Sequence, residues 1–187
     1  APECRPPPQS PSAPAEVTDA YLDELAALPP IPRVVHVTWR GAPKLPPRTL
    51  YAQLTIHNLL TSASPGWTVR TYDDAMLDDV LRDELPAFAR IDAQAYRRVK
   101  RRHIVERCDL FRLVVMYRHG GVYLDADRWV TVPLDRAISP TARLVLPTYR
   151  DDLASQDLMA SAPGNPLFRR AIELNLARRR AGIGEGG

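Results

Sequence analysis

One stretch, residues 107–129 (RCDLFRLVVMYRHGGVYLDADRW), constrains this chain more than any other. Its first part reads as a helix, on which Asp109 and Arg112, three positions apart, share one face. Gly120-Gly121 ends that helix, because glycine accepts the left-handed conformation that helix C-termini often need. The apolar run Val122-Tyr123-Leu124 then reads as a strand that delivers Asp125-Ala126-Asp127. On extended chain, residues i and i+2 face the same way, so the two carboxylates would repel unless a cation or protons lay between them. Oxygen donors of this kind suit Mg²⁺ or Mn²⁺. A bare Asp-x-Asp is common, and two solvated loop aspartates are the plain alternative. The apolar strand, the double glycine and the polar pair on an otherwise apolar helix set this pair apart.

The chain has 187 residues, 45% hydrophobic and 25% charged, enough for one globular domain with a real core. No run approaches the length of a membrane span, and no pattern of a secretory signal is visible. The net charge is a modest +3, and lysine occurs only at Lys44 and Lys100. Cys4 and Cys108 form neither a disulfide framework nor a zinc motif, which is compatible with a reducing, cytoplasmic setting. Residues 1–17 are proline-rich and nearly without large apolar groups, so they read as a disordered tail, with the domain spanning 18–187. Residues 182–187 (GIGEGG) read as a flexible loop rather than a natural end, and a domain truncated at its C-terminus is expected.

The remaining elements follow from pattern. Thr18 can cap a short helix through Leu28, which Pro29, Pro30 and Pro32 end. Residues 33–39 (RVVHVTW) form a first, β-branched strand of the buried parallel kind. A lone histidine on such a strand, His36, is expected to be a hydrogen-bonded structural residue. Residues 50–60 read as a helix, Pro65-Gly66 as a turn and Trp67 to Tyr72 as a second strand. Asp73 or Asp74 then caps a helix through Leu81. The basic run from Arg97 to Arg107 lacks interleaved aromatic residues and reads as a solvated helix face, so no nucleic-acid partner is expected; part of it can help to neutralise a diphosphate. Residues 129–132 and 143–146 read as strands, Tyr149 to Asp157 as a polar surface loop, and Pro166 to Arg179 as a helix. This order of βα units, an acidic loop and further strands predicts an α/β fold with a mostly parallel central sheet, in which ligands gather at strand C-terminal ends.

The pattern Asp109-x-x-Arg112, Gly120-Gly121-x-Tyr123-x-Asp125-x-Asp127 resembles the DXD region of sugar-binding glycosyltransferases, the capsular-polysaccharide and yeast mannosyltransferase-like enzymes of glycosyltransferase family 32. Supporting similarity lies in residues 31–39, in PGWTVRTYDD, and in SAPGNPLFRRAIE, so that the resemblance covers Ile31 to Arg170. It implies the GT-A-like, nucleotide-sugar-binding fold and a metal-dependent, retaining hexosyltransferase. By the same resemblance Asp127 with Asp125 holds Mn²⁺ or Mg²⁺ on the donor diphosphate, and Asp125 also orients ribose or sugar. Asp109 and Arg112 grip the sugar hydroxyls, Tyr123 lines the pocket, and Trp39 stacks on the base. The partners implied are a nucleotide-diphosphate sugar and a glycan, lipid-linked or protein acceptor. Two positions depart from the family: Gln156 stands where asparagine is usual, and Asn165 where histidine is common.

Two other readings of the residues compete. A haloacid-dehalogenase-like phosphatase also places Asp-x-Asp after an apolar strand, with the first Asp as nucleophile. That pattern wants Thr or Val where Trp129 stands, and a later lysine or arginine near the phosphate; no lysine follows Asp127. A non-catalytic module that binds sugar or nucleic acid is the second.

Overall fold

The computed structural model describes residues 18–39, 66–88, 104–128, 130, 132–149 and 153–180. The helix expected over 50–60, the tail 1–17, the basic residues 97–103, Trp129, Thr131 and the glycine-rich end lie outside them.

Thr18 caps helix α1 (Asp19–Ala26) by accepting from the Tyr21 N–H at 3.3 Å. Strands β1 (Val34–Thr38) and β2 (Thr68–Tyr72) pair in parallel, with Val34 opposite Thr68. Asp73 caps helix α2 (Asp74–Glu84), its carboxylate accepting from the Met76 N–H at 2.8 Å, and a 3₁₀ turn at Pro86 follows. Helix α3 (Ile104–His119) has seven consecutive buried residues, Leu110 to Met116, which makes it the central helix.

Gly120 ends α3 with φ +60° and Gly121 opens strand β3 (Gly121–Leu124) with φ +87°. Both must be glycine for space as well as for conformation. A Cβ on Gly120 would lie 2.6 Å from the Ser161 carbonyl oxygen, and one on Gly121 2.4 Å from that of Val34. The double glycine therefore lets the end of α3 and the start of β3 press against the neighbouring strands.

After a short helix α4 (Leu134–Ala137) come β4 (Leu144–Val145), the small hairpin β5 (Thr148–Tyr149) and β6 (Leu153–Ala154), and then β7 (Leu158–Ser161) and helix α5 (Pro166–Arg180). The main sheet has the order β2-β1-β3-β7-β4. β1, β2 and β3 are parallel; β7 runs against both β3 and β4. Four of the five strands thus point one way, and the sheet is mostly parallel with a single reversed strand.

Side chains alternate across this sheet. Tyr123 and Met159 join Tyr72, Phe111, Leu77, Leu81 and Phe168 under the helical layer α2, α3 and α5. Val35, Val37, Val122, Leu124 and Ala160 meet Ala126, Val130 and Leu134 on the other face. Among the described residues no helix is long and apolar enough to cross a membrane.

Two expectations need correction. The strand over 129–132 is not present at its described residues, Val130 and Val132. The sheet position beside β3 is taken by β7, so Val130 fills the second core as a single buried side chain. The polar stretch from Tyr149 to Asp157 is not simply a loop, because it contains β6 and leads directly into β7.

Candidate active site

β1 and β3 end side by side, with His36 opposite Tyr123 in register. Thr38, two residues on from His36, therefore projects toward the same side as Tyr123. The Tyr123 hydroxyl donates to Asp125 Oδ1 at 2.9 Å and lies 3.1 Å from Thr38 Oγ1. A phenol has one proton, so with that proton on the carboxylate Thr38 is the donor to the phenol oxygen. From α3, Arg112 reaches over the Tyr123 ring, its guanidinium carbon 4.9 Å from the ring centre. Its Nη2 pairs with Asp109 Oδ1 at 3.0 Å, as the i, i+3 spacing requires. Its Nη1 donates to the Gln156 carbonyl at 2.8 Å and lies 3.5 Å from Asp125 Oδ2.

Arg112 is nearly buried, its side chain 10% exposed, and it is held by two carboxylates and a carbonyl. Such a guanidinium is fixed in position before any ligand arrives. Burial pushes the Asp125 carboxyl above its ordinary range, and the charges of Asp127 and Asp157 add to this; Arg112 and the Tyr123 hydroxyl oppose it. Burial likewise pushes the Tyr123 phenol far up, so it stays protonated and remains a donor.

Past β3 the chain turns rather than running on extended, with the Arg128 N–H donating to the Asp125 carbonyl at 3.0 Å. Asp125 and Asp127 therefore do not share one face as they would on extended chain. The turn divides the pair: Asp125 is half-buried against Tyr123 and Arg112, Ala126 fills the core, and Asp127 is exposed. Among the described residues, no group of three or more His, Cys, Asp or Glu side chains gathers to hold a metal. The donors still fit a hard divalent ion. Mg²⁺ commonly takes one or two carboxylates and draws its other ligands from phosphates and water. Asp127 is the free carboxylate for this; Asp125 has a partner at each oxygen.

Beside this network lies a cavity of about 340 Å³, walled by Thr38 and Trp39 at the end of β1, Tyr72 and Asp74 at the β2–α2 junction, and Cys108 of α3. Thr38 and Cys108 connect it to the network, the first through Tyr123 and the second because its carbonyl lies 3.5 Å from Arg112 Nε. Trp39 is half-buried, and its Nε1–H is buried without an acceptor among the described residues. Burial raises the pKa of the free Cys108 thiol, which leaves it a weak nucleophile.

The sequence pattern described as "Glycosyltransferase sugar-binding region containing DXD motif" matches residues 35–144, more than half of the chain. The chain belongs to this glycosyltransferase family. Among curated proteins it is similar to inositol phosphoceramide mannosyltransferase 2 of Schizosaccharomyces pombe, at 28% identity over 81% of this chain and 40% of that protein. It is also similar to a mannosyl phosphorylinositol ceramide synthase of Saccharomyces cerevisiae, at 27% identity over 76% of this chain and 35% of that one. The chain thus spans about two fifths of the length of these relatives. Among solved structures the PaToxG glycosyltransferase superposes with a TM-score of 0.59, at 14% identity, over 87% of this chain and 69% of that one. The fold is accordingly that of a glycosyltransferase, a mixed α/β, GT-A-like architecture.

Set within that family, the structure brings together four of the residues singled out in the sequence: Asp109, Arg112, Tyr123 and Asp125. Asp127 adjoins them on the turn, and Trp39 stands apart, on the cavity. Sequence reasoning missed Thr38, the Gln156 carbonyl and Asp157. Thr38 was findable, since it alternates with His36 on β1; a backbone carbonyl leaves no mark in a sequence. Asn165, where the family commonly has histidine, is fully buried and structural. Its side-chain oxygen accepts from the Leu167 N–H at 3.0 Å and its amide donates to Ser161 Oγ at 3.0 Å, which caps α5. His36 is structural as expected. The family match favours the glycosyltransferase reading of Asp125-Ala126-Asp127 over the phosphatase one.

Proposed function

We propose that this chain, as a GT-A-like domain over residues 18–187, transfers a hexose from a nucleotide-diphosphate sugar to an acceptor with retention of anomeric configuration, using Mn²⁺ or Mg²⁺. The observation that carries this is the preorganised chain Thr38–Tyr123–Asp125–Arg112–Asp109, with the exposed Asp127 two residues beyond Asp125. Asp127, with Asp125, would hold the ion, which when bound balances the charge that develops on the leaving diphosphate. Asp109, its side chain 45% exposed, accepts from sugar hydroxyls while Arg112 holds it in place and donates. Tyr123 fixes Asp125 and so sets where the carboxylate faces the donor. Trp39 offers its ring to the base and its free N–H to an acceptor on the nucleotide.

The names of the curated relatives point to a mannosyl donor and an inositol phosphoceramide acceptor, a lipid-linked alcohol, as the first pair to test. A glycan or a protein is the next acceptor class. We place the chain in the reducing cytoplasm, in keeping with the free thiol of Cys108.

The test is a panel of nucleotide sugars with and without Mn²⁺, read first as thermal stabilisation and then as hydrolysis or transfer. One donor is expected to raise the melting temperature only with Mn²⁺ and to be turned over, and proton NMR of the product should show the donor's anomeric configuration. Arg112→Lys should bind the Mn²⁺–nucleoside diphosphate normally yet lose turnover and discrimination between sugars, because an ammonium cannot copy the guanidinium fork. A panel with neither stabilisation nor turnover would sink the proposal. Loss of nucleoside diphosphate binding in a folded Arg112→Lys would show that Arg112 serves the diphosphate instead.

A further inference from the structure

The segment just before β7 makes more contacts with the acidic turn than a passing loop would. Leu124 pairs with Leu158 at the ends of β3 and β7, and the pairing continues one step further: the Asp125 N–H donates to the Asp157 carbonyl at 2.8 Å. One residue earlier, the Gln156 carbonyl accepts from Arg112 Nη1. The Asp157 carboxylate pairs with Arg128 Nη2 through Oδ2 and accepts from the Ser155 hydroxyl at Oδ1. Arg128 is the residue after Asp127, and its own N–H closes the turn on the Asp125 carbonyl. Asp157 therefore grips the turn at two points on either side of Asp127, by main chain before it and by side chain after it. The Asp157 side chain is 20% exposed and the Arg128 side chain 56% exposed.

We propose that Asp157 is a positioning residue for the acidic turn: through Arg128 and the Asp125 N–H it holds the turn in the form that presents Asp127 outward to a divalent ion. This rests on the metal-dependent reading above. Asp157 takes no part in binding the ion or the donor; its carboxylate is occupied by Arg128 and Ser155. An ion pair with one exposed partner contributes little to global stability. Its effect falls on the local geometry of a ligand, where partners outside the ligand set typically matter by about 10- to 100-fold in metal affinity or activity.

The test uses the whole chain, with Mn²⁺ and either UDP or GDP as the probe, for the wild type, Asp157→Asn, Arg128→Gln and the double variant. Calorimetry gives Mn²⁺ affinity in the presence of each nucleotide, and turnover is followed as a function of Mn²⁺ concentration. Each single variant should bind Mn²⁺ about 10-fold more weakly. The double variant should be no worse than either, since the two residues act through each other. Saturating Mn²⁺ should restore kcat, while the melting temperature moves little. Wild-type Mn²⁺ affinity in folded Asp157→Asn and Arg128→Gln, additive losses in the double variant, or a kcat deficit that Mn²⁺ does not restore would each overturn the inference alone. A wild-type chain that binds no Mn²⁺ with either nucleotide would overturn the proposed function, and this inference with it. Arg128 lies at an exposed position, so its variant reports even if Asp157→Asn fails to fold.

Discussion

His36 and Thr38 stand two residues apart on β1, and both project away from the valines that pack the other face. Their polar surroundings differ in kind. His36 has no exposed surface, and the chain itself satisfies both ring nitrogens: the Gly120 carbonyl lies 3.1 Å from Nε2 and the Tyr72 hydroxyl 2.8 Å from Nδ1. Nε2 must therefore carry the proton, and Tyr72 donates to Nδ1. His119 stacks beside the ring at 6.0 Å, and Arg70 adds positive charge nearby. The cluster is neutral at its buried centre, with every polar side-chain atom of His36 paired within the chain. The network that begins at Thr38 instead gains charge as it goes, through Asp125 and Arg112, and ends at Asp109, a carboxylate that meets solvent; the exposed Asp127 lies two residues past Asp125. Buried polar groups that are fully paired specify a fold; polar groups held firmly but left with spare capacity bind something else.

The largest effect expected from this contrast is at Asp127. Asp127→Asn keeps the shape of the side chain and removes its charge, so metal-dependent donor cleavage should fall about 10²–10³-fold, the scale of losing one preorganised electrostatic partner. Stability to urea should be nearly unchanged, as for other exposed substitutions. Normal metal-dependent turnover in this variant would remove the distinction between the open network and the paired cluster at His36.

His36 should show the opposite profile. Burial first, then the charges of His119 and Arg70, lower its pKa from 6.5 to about 4, against the opposing hydrogen bond that it donates to the Gly120 carbonyl. The unfolded chain thus binds more protons than the folded one between these values. The stability contributed by a neutral His36 is complete above about pH 6.5 and is lost as the pH falls toward 4, amounting to about 3 kcal/mol over the interval. Urea denaturation of the wild type and of His36→Asn across this range should show a steeper slope in the first than in the second, where His119, its pKa also lowered by burial, still titrates. Donor affinity at pH 7.5 should be the same in both. An equal slope in the two proteins would mean that another group titrates.

Trp39 carries the smallest of the three effects. Trp39→Ala should weaken donor binding by about 1–3 kcal/mol, the range for base–aromatic stacking, without changing Mn²⁺ dependence. Calorimetry on the folded variant decides it: unchanged affinity would assign the ring to the core that it partly covers, and its unpaired Nε1–H would then need another explanation.

The sequence by itself determined those features that depend on local chemistry. Thr18 announced one helix cap and Asp73 or Asp74 another, the i, i+3 spacing put Asp109 beside Arg112, and Gly120-Gly121 marked a backbone reversal that only glycine accepts. Alternation along β1 and β3 separated His36 and Tyr123 from the valines. Long-range pairing was not legible. Residues 158–161 (LMAS) lack β-branched side chains, so nothing local marked β7 as a strand, yet it lies next to β3 and is the one reversed strand of the sheet. Its lead-in, residues 155–157, supplies carbonyls to Arg112 and Asp125, contacts that any side chains at those positions could have allowed. The turn at Ala126 was equally hidden, because Ala126 is small enough to bury and Asp125 finds its partners on β3 and α3. Which aspartate was buried and which was left for a ligand was decided by tertiary packing. Arg112 and Asp157, which also hold Asp125 there, are distant from it in sequence.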